Sequence, residues 1–359
     1  MFAQFPTVRE NLGIEEWQIT IFILTMALGA VPSMMIGSIL IGRIGSRNVA
    51  LIFMPLLLLF PVAFMLAPSY PIFLTIGLGL GICSGFFDVS ANSQGSLLER
   101  ATNRLFMTTI HALFALGVLV GSGLATLAHL FNMNIALFFL IICLISSVHF
   151  LAIWKGFLPL PIEQAQEAED DAGLGGKAPA FSVFLLAALA FLMLLGIEAE
   201  ASHYDWLALY FTDEFRWING GELPKEWSNF AMVCFSSGLF IARILGDPVA
   251  SHIGRPKLLL GGTIIGLIGL TWLILTHTYI HGLIAAFMIG FGFAFFFPIF
   301  VAAAGRLRGI RPSFGVAFVS AMGWASVFIG PPLIGFVEHT TASAGPMRPC
   351  CLSRQSSQF

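Results

Sequence analysis

Apolar residues in this chain come in blocks of helix length, not in strict alternation. Ten such blocks can be marked, at about 19–41, 49–67, 71–96, 105–130, 133–154, 181–211, 229–245, 258–276, 280–304 and 313–337. Each is near the roughly 20 residues an α-helix needs to cross a hydrocarbon core. The two-residue period of a membrane barrel is missing from them. The two longest, 71–96 and 181–211, must tilt, bend or protrude. Residues 1–18 are amphiphilic and too polar to span, and the ending GPMRPCCLSRQSSQF is polar as well. One long interior stretch is hydrophilic, from Gly156 to Pro179, where Glu163, Glu167, Glu169, Asp170 and Asp171 precede GLGG. It reads as a flexible acidic linker. Five blocks come before it and five after. The pattern predicts an all-α membrane protein, a bundle of about ten transmembrane helices in two halves. The expected divisions are an N-terminal transmembrane half over 1–155, a linker over 156–180, a C-terminal half over 181–340 and a polar tail over 341–359.

Composition agrees with the pattern. Hydrophobic residues make up 57% and charged residues 10%, with mean hydropathy +0.90. Soluble domains carry roughly 25% charged residues, so this chain cannot clothe itself for water, and its main partner is the lipid bilayer. A net charge of −2 leaves no footprint for nucleic acid. Cys83, Cys143 and Cys234 sit alone in apolar blocks, and Cys350 and Cys351 are adjacent, so neither a disulfide framework nor a metal site is expected. No cofactor is expected. Twelve of the seventeen basic residues lie in alternate connections after the first block: Arg43, Arg47, Arg100, Arg104, Lys155, Lys177, Arg243, Arg255, Lys257, Arg306, Arg308 and Arg311. By the positive-inside rule that side faces the cytoplasm, which puts both ends of this chain on the other side.

A few polar residues interrupt the blocks. Asp88 stands inside the 71–96 block, with Asn92 one turn further on. A charge at mid-membrane costs on the order of 2.5–3.5 kcal/mol on insertion scales, so such an acid is rare without a polar cavity or partner. It can bind a proton, accept hydrogen bonds from a solute's hydroxyls and release the proton on the other side. The alternative is a structural acid held by a neighbouring side chain. Gly77, Gly81 and Gly85 recur every four residues on the same helix, a stripe that lets another backbone come close. In the 181–211 block, Glu198, Glu200, His203 and Asp205 cluster toward the outer end, at a vestibule or an interfacial helix end. Glu200 and His203 are spaced to meet on one face, Glu198 and Asp205 on another. His111 lies just inside its helix and is either a proton relay or a helix-pairing residue. The connections at 41–51 and 252–260 resemble each other, each with a glycine beside basic residues. Arg43, Arg47, Arg243, Asp247 and Arg255 are read at cytoplasmic helix ends. The paired prolines after Gly330 are expected to bend the last helix.

The stretches GRIGSR (42–47), DVSANSQGSLLER (88–100), HALFALG (111–117), EASHYDW (200–206), ARILGD (242–247), FPIFVAAAGR (297–306) and GPPLIGF (330–336) together resemble the major facilitator superfamily, in its fucose-permease-like branch. The resemblance implies twelve helices around a central cavity and alternating access, usually coupled to protons, in a bacterial inner membrane. On that pattern the chain lacks a first and a last helix. It further implies a small-molecule solute and a coupling proton as partners, action as a monomer, and no enzymatic activity. Asp88 and Asn92 match the family's acid and amide for substrate and proton. Arg43, Arg47, Arg243, Asp247 and Arg255 match the loops that lock the halves. Phe295 to Phe297 is aromatic where the family leads one to expect a polar side chain. The leading expectation is a secondary transporter of a small polar organic solute, with a sugar suggested only by the resemblance. Drug or metabolite efflux by antiport, an inactive truncated remnant, and a membrane-embedded enzyme are the alternatives. The last would need a paired catalytic site, and no HExxH or second acid beside Asp88 is found.

Overall fold

The computed structural model describes residues 5–131, 133–162, 164, 178–215, 225–276 and 278–343. Helices dominate: α1 (Phe5–Leu12), α2 (Glu16–Ile44), α3 (Ser46–Met65), α4 (Tyr70–Thr102), α5 (Met107–Leu130), α6 (Ile135–Ile153), α7 (Ala180–Glu214), α8 (Lys225–Ile253), α9 (Arg255–Leu275), α10 (Tyr279–Phe293), α11 (Phe296–Ala304) and α12 (Pro312–Ser343). The ten expected blocks correspond to α2 to α9, the pair α10 and α11, and α12. Among the described residues eight segments are both long and apolar enough to cross a membrane. The block at 280–304 is interrupted at Ala294 and Phe295, and most of the expected acidic linker lies outside the described residues.

Local chemistry explains the boundaries. Pro71 and Pro256 occupy first-turn positions, where a missing N–H does no harm. Asn103 ends α4 in the left-handed conformation, φ 52°. Asn134 caps α6 by accepting from the Leu137 N–H at 3.1 Å. The two similar connections have the same geometry. Gly45 has φ 84° and ψ 150°, and Gly254 has φ 86° and ψ 149°. Each N–H closes the helix before it, Gly45 to the Ile41 carbonyl and Gly254 to the Ala250 carbonyl. Each carbonyl then opens the helix after it, to Val49 and Leu258. This backbone region is open essentially to glycine alone. One turn design therefore serves both halves.

Packing follows the small residues. A Cβ at Gly81 would collide with the Met26 carbonyl and one at Gly85 with the Ala30 carbonyl, so α4 lies directly on α2. The C-terminal half repeats the device, since a Cβ at Gly238 or Gly290 would strike the backbone of Phe287 or Phe235, which joins α8 to α10. Without water between helices to drive association, such backbone approach is what membrane helices gain from. At the end away from the basic connections, Phe5, Phe22, Phe64 and Phe73 stack α1 onto α2, α3 and α4. Between the halves, α2 meets α12 and α5 meets α8, and α4 touches both α11 and α12.

The matched turns predict matched penalties. Gly45→Ala and Gly254→Ala are each expected to destabilise the protein by about 1–3 kcal/mol. Thermal unfolding in detergent measures this, and an unchanged midpoint in both variants would contradict the turn geometry.

Candidate functional site

Two groups of polar side chains lie between the halves. The first is in the interior of the bundle. Asp88 on α4 is half-buried, and its Oδ2 is buried with no hydrogen-bond partner in the protein. One turn on, Asn92 is 3% exposed; its Nδ2 makes no well-formed hydrogen bond, though its side chain is near enough to the Asp88 carboxyl to act on it. The Asn92 Oδ1 accepts from His111 Nε2 on α5 at 3.1 Å, which sets the tautomer, because an amide oxygen only accepts. The His111 ring meets Phe297 edge-on, centroids 4.9 Å apart, and Arg243 on α8 is near enough to act on it electrostatically.

Arg243 is held from two sides. Its Nη2 donates to both Glu200 oxygens, at 3.1 and 3.0 Å, with the two residues 5% and 8% exposed. Its Nε donates to the Ala294 carbonyl at 3.1 Å. That carbonyl is free for a reason legible in the sequence. The residue four places on is Pro298, which has no N–H to give, so the helix breaks between α10 and α11 and the guanidinium takes the vacant acceptor. The ion pair is thus anchored to the break. The interior group reads, across the bundle, as Asp88 and Asn92, then His111, then Arg243 with Glu200.

The second group lies at the basic end. Glu99, fully buried near the end of α4, accepts the N–H of Phe106 at 2.8 Å and of Met107 at 2.9 Å. It also takes Arg255 from α9 and the Arg306 Nη2, at 3.0 Å, from the end of α11. Asp247 on α8 accepts from the Thr108 N–H at 3.3 Å and the Thr109 N–H at 2.7 Å. The free amides at the start of α5 are therefore capped by two carboxylates, one from each half, where the helix dipole favours negative charge.

Several expectations change. Arg243 is not at a helix end but buried within α8, because Glu200 and the Ala294 carbonyl compensate its charge. It leaves the loop tally, so eleven basic residues stand against five, and the bias keeps its sign. Glu200 is not at an outer interface, since it faces inward to Arg243. Nor is its described partner His203, whose Nδ1 contacts the Ala199 carbonyl at 2.6 Å while the ring stacks on Phe235. Arg47 stays inside its own half, its guanidinium 4.7 Å above the Trp154 ring. Arg43 is exposed. Asp247 and Arg255 do join the halves. Glu198 lies against Gly330, where a Cβ would overlap its carboxylate. The Asp205 side chain and those of Pro331 and Pro332 lie outside the described residues. Glu99 was not singled out from the sequence; its signal was an acid four residues before Asn103, ahead of the next helix start. Ser38, seven residues before Gly45, matches Asp247, seven before Gly254, and its hydroxyl turns back to the Met35 carbonyl at 2.8 Å.

Comparison with known proteins agrees with this architecture. No protein-family model matches the chain. It is 26% identical to an uncharacterized MFS-type transporter of Yersinia pestis over 344 residues, 94% of this chain and 84% of that protein. It is 24% identical to membrane protein MosC of Rhizobium meliloti over 343 residues, 94% of this chain and 79% of that protein. Among solved structures it is similar to the E. coli fucose:proton symporter FucP, with TM-score 0.70 at 14% identity, covering 95% of this chain and 88% of that one. It is also similar to the proton:xylose symporter XylE, with TM-score 0.69 at 12% identity, covering 95% and 85%. The chain has the fold of the solved major facilitator transporters, and the Yersinia relative and the two symporters are transporters, not enzymes.

The anchored ion pair generates a test. Glu200→Gln leaves the Arg243 charge buried and uncompensated, which is expected to cost about 3–5 kcal/mol. The double variant Glu200→Leu with Arg243→Met removes both charges and is expected to regain most of the loss. Unfolding midpoints of the three proteins in detergent decide it; a double variant as weak as the single one would mean the pair does not act as a unit.

Proposed function

We propose that this chain, whose fold and relatives are those of major facilitator transporters, moves a small polar organic solute across a bacterial inner membrane together with a proton moving in the same direction. One observation carries the reading: Asp88 Oδ2 and Asn92 Nδ2 are an unused acceptor and an unused donor, one turn apart in the bundle interior. A hydroxyl donates and accepts at once, so a polyhydroxylated solute fits such a pair better than a purely apolar one. A buried polar atom that finds no partner costs about 1–3 kcal/mol, and a bound solute or water relieves that cost.

The parts take the following roles. Asp88 carries the proton and, once charged, accepts from the solute. Asn92 donates to the solute and is held in register by His111. Phe297 gives the solute an apolar face beside that ring. Arg243, neutralised by Glu200, forms the opposite wall in the C-terminal half, so that the two halves grip one ligand from two sides. Glu99 and Asp247, with Arg255 and Arg306, close the basic end while the solute enters from the other. Release to the cytoplasm requires these joints to part. The chain acts alone, as one bundle with one pathway. A sugar is the solute class favoured by the two symporters of like fold; an amphiphile exported by antiport is the second reading, favoured by the aromatic run at Phe295 to Phe297.

A thermal-shift screen of sugars and small amphiphiles on the purified protein separates these readings by which class stabilises it. With a stabilising solute in hand, Asp88→Asn is expected to retain insertion and a thermal shift but to lose uptake driven by an inward proton gradient in proteoliposomes, down to the level of empty vesicles. Uptake by the variant equal to that of the parent would remove Asp88 as the proton carrier.

A further inference from the structure

Between the two sites so far described, one face of α4 carries a line of polar groups that connects them. Asp88, Asn92, Ser96 and Glu99 follow at intervals of four, four and three, so they share one helix face. Their Cα atoms descend roughly 16 Å along the axis, from the interior group to the basic end. The Asp88 Oδ2, Asn92 Nδ2 and Ser96 Oγ on that face are all buried, and none makes a well-formed hydrogen bond in the protein. Ser96 itself is 1% exposed. Three successive orphans on one stripe are unusual, since buried polar groups nearly always find partners, and ordered water supplies them where the protein does not. Across from Ser96 stands Gly305, at the turn that leads to Arg306. A Cβ there would occupy the position of the Ser96 hydroxyl. The absence of a side chain at 305 leaves that hydroxyl its room.

We propose that this face of α4 is a hydrated file through which Asp88 exchanges its proton with the cytoplasm, with Ser96 as the relay and Gly305 keeping its place free. This rests on the reading of Asp88 as proton carrier and adds the route. The step balances as follows. The O–H bond of the Asp88 carboxylic acid breaks, and its proton passes to a water that also accepts from the Asn92 amide. That water hands a proton to the Ser96 hydroxyl, which gives up its own to the next water toward Glu99. One proton enters cytoplasmic water, and Asp88 is left as the carboxylate. The charged groups around the ends of the file set its direction. His111 from α5 and the Arg243–Glu200 pair from α8 and α7 border the upper end. Arg255 from α9 and Arg306 from the end of α11 enclose Glu99 at the lower end, with the Phe106 and Met107 amides. Glu99 holds the only carboxylate on this face below Asp88, so an emerging proton meets negative charge before it meets the arginines. The file and the joint between the halves thus share a residue, and proton exit is fastest when that joint is loosened.

Infrared spectroscopy on the full chain in lipid, after a pH jump, tests the route without a known solute. The Asp88 carboxyl band is the one missing from Asp88→Asn. Ser96→Ala, and separately Gly305→Ala, are expected to slow the loss of that band by about tenfold, the rate equivalent of one hydrogen bond removed from the path. Ser90→Ala is the control: Ser90 is buried in the same helix, but it stands on the opposite face of α4, where its hydroxyl donates to the Phe87 carbonyl. It is expected to leave the rate unchanged. No slowing in either file variant, or equal slowing in the control, overturns the file while Asp88 remains the carrier. A parent protein with no band that Asp88→Asn removes overturns the carrier reading, and the route falls with it.

Discussion

The amides at the start of α5 have no carbonyls behind them, and in a bundle surrounded by lipid they must find acceptors within the protein. Here the acceptors come from opposite halves. Glu99 takes the N–H groups of Phe106 and Met107, and Asp247 those of Thr108 and Thr109. Neither half can move off the other at this end without leaving donors or carboxylates unsatisfied. A general rule about helix ends thereby becomes a constraint on where the two halves may separate. Arg255 and Arg306 add to it, since both come from the C-terminal half and both end on Glu99. The end with the basic connections is therefore the end at which the two halves are tied together.

A second dependence runs through Pro298. Proline at that place interrupts the helix, frees the Ala294 carbonyl and so creates a seat for Arg243 in the bundle interior. A buried arginine with its charge answered by Glu200 is stable there; unanswered it would not be. The break in the 279–304 segment and the ion pair are two faces of one arrangement. It brings a C-terminal-half cation toward His111 and hence toward Asn92 and Asp88, in the other half. The interior group is assembled from α4, α5, α7, α8 and α11, so no single segment contains it.

Much of the architecture could be read from the order of residues. Helix-length apolar blocks gave the placement of the helices, and the Gly77, Gly81 and Gly85 stripe foretold the close approach of α4. The repeated glycine connections foretold a shared turn, which the torsions at Gly45 and Gly254 bear out. Partnership was harder to see. Arg243 was placed at a helix end because basic residues flank spans far more often than they sit inside them, and nothing local marks Glu200, forty-three residues away, as its partner. Glu200 with His203, and Arg47 as a joint between halves, were argued from spacing within one element. Tertiary neighbours decided otherwise: Phe235 took the histidine ring and Trp154 the guanidinium. Glu99 went unnoticed because an acid at the end of a span looks like an ordinary boundary residue. Only the fold reveals that four donors converge on it.

The duplicated turns carry one difference with a mechanical outcome. Counting back from each glycine, the place held by Asp247 in one repeat is held by Ser38 in the other. The contact of α8 with α5 is thus made by a carboxylate on backbone amides, while its twin between α2 and α12 has an uncharged hydroxyl that bonds to its own helix. Two seams built on one turn geometry are therefore unequal: parting α8 from α5 would strip a carboxylate of its amide donors, and parting α2 from α12 would not touch the hydroxyl's bond.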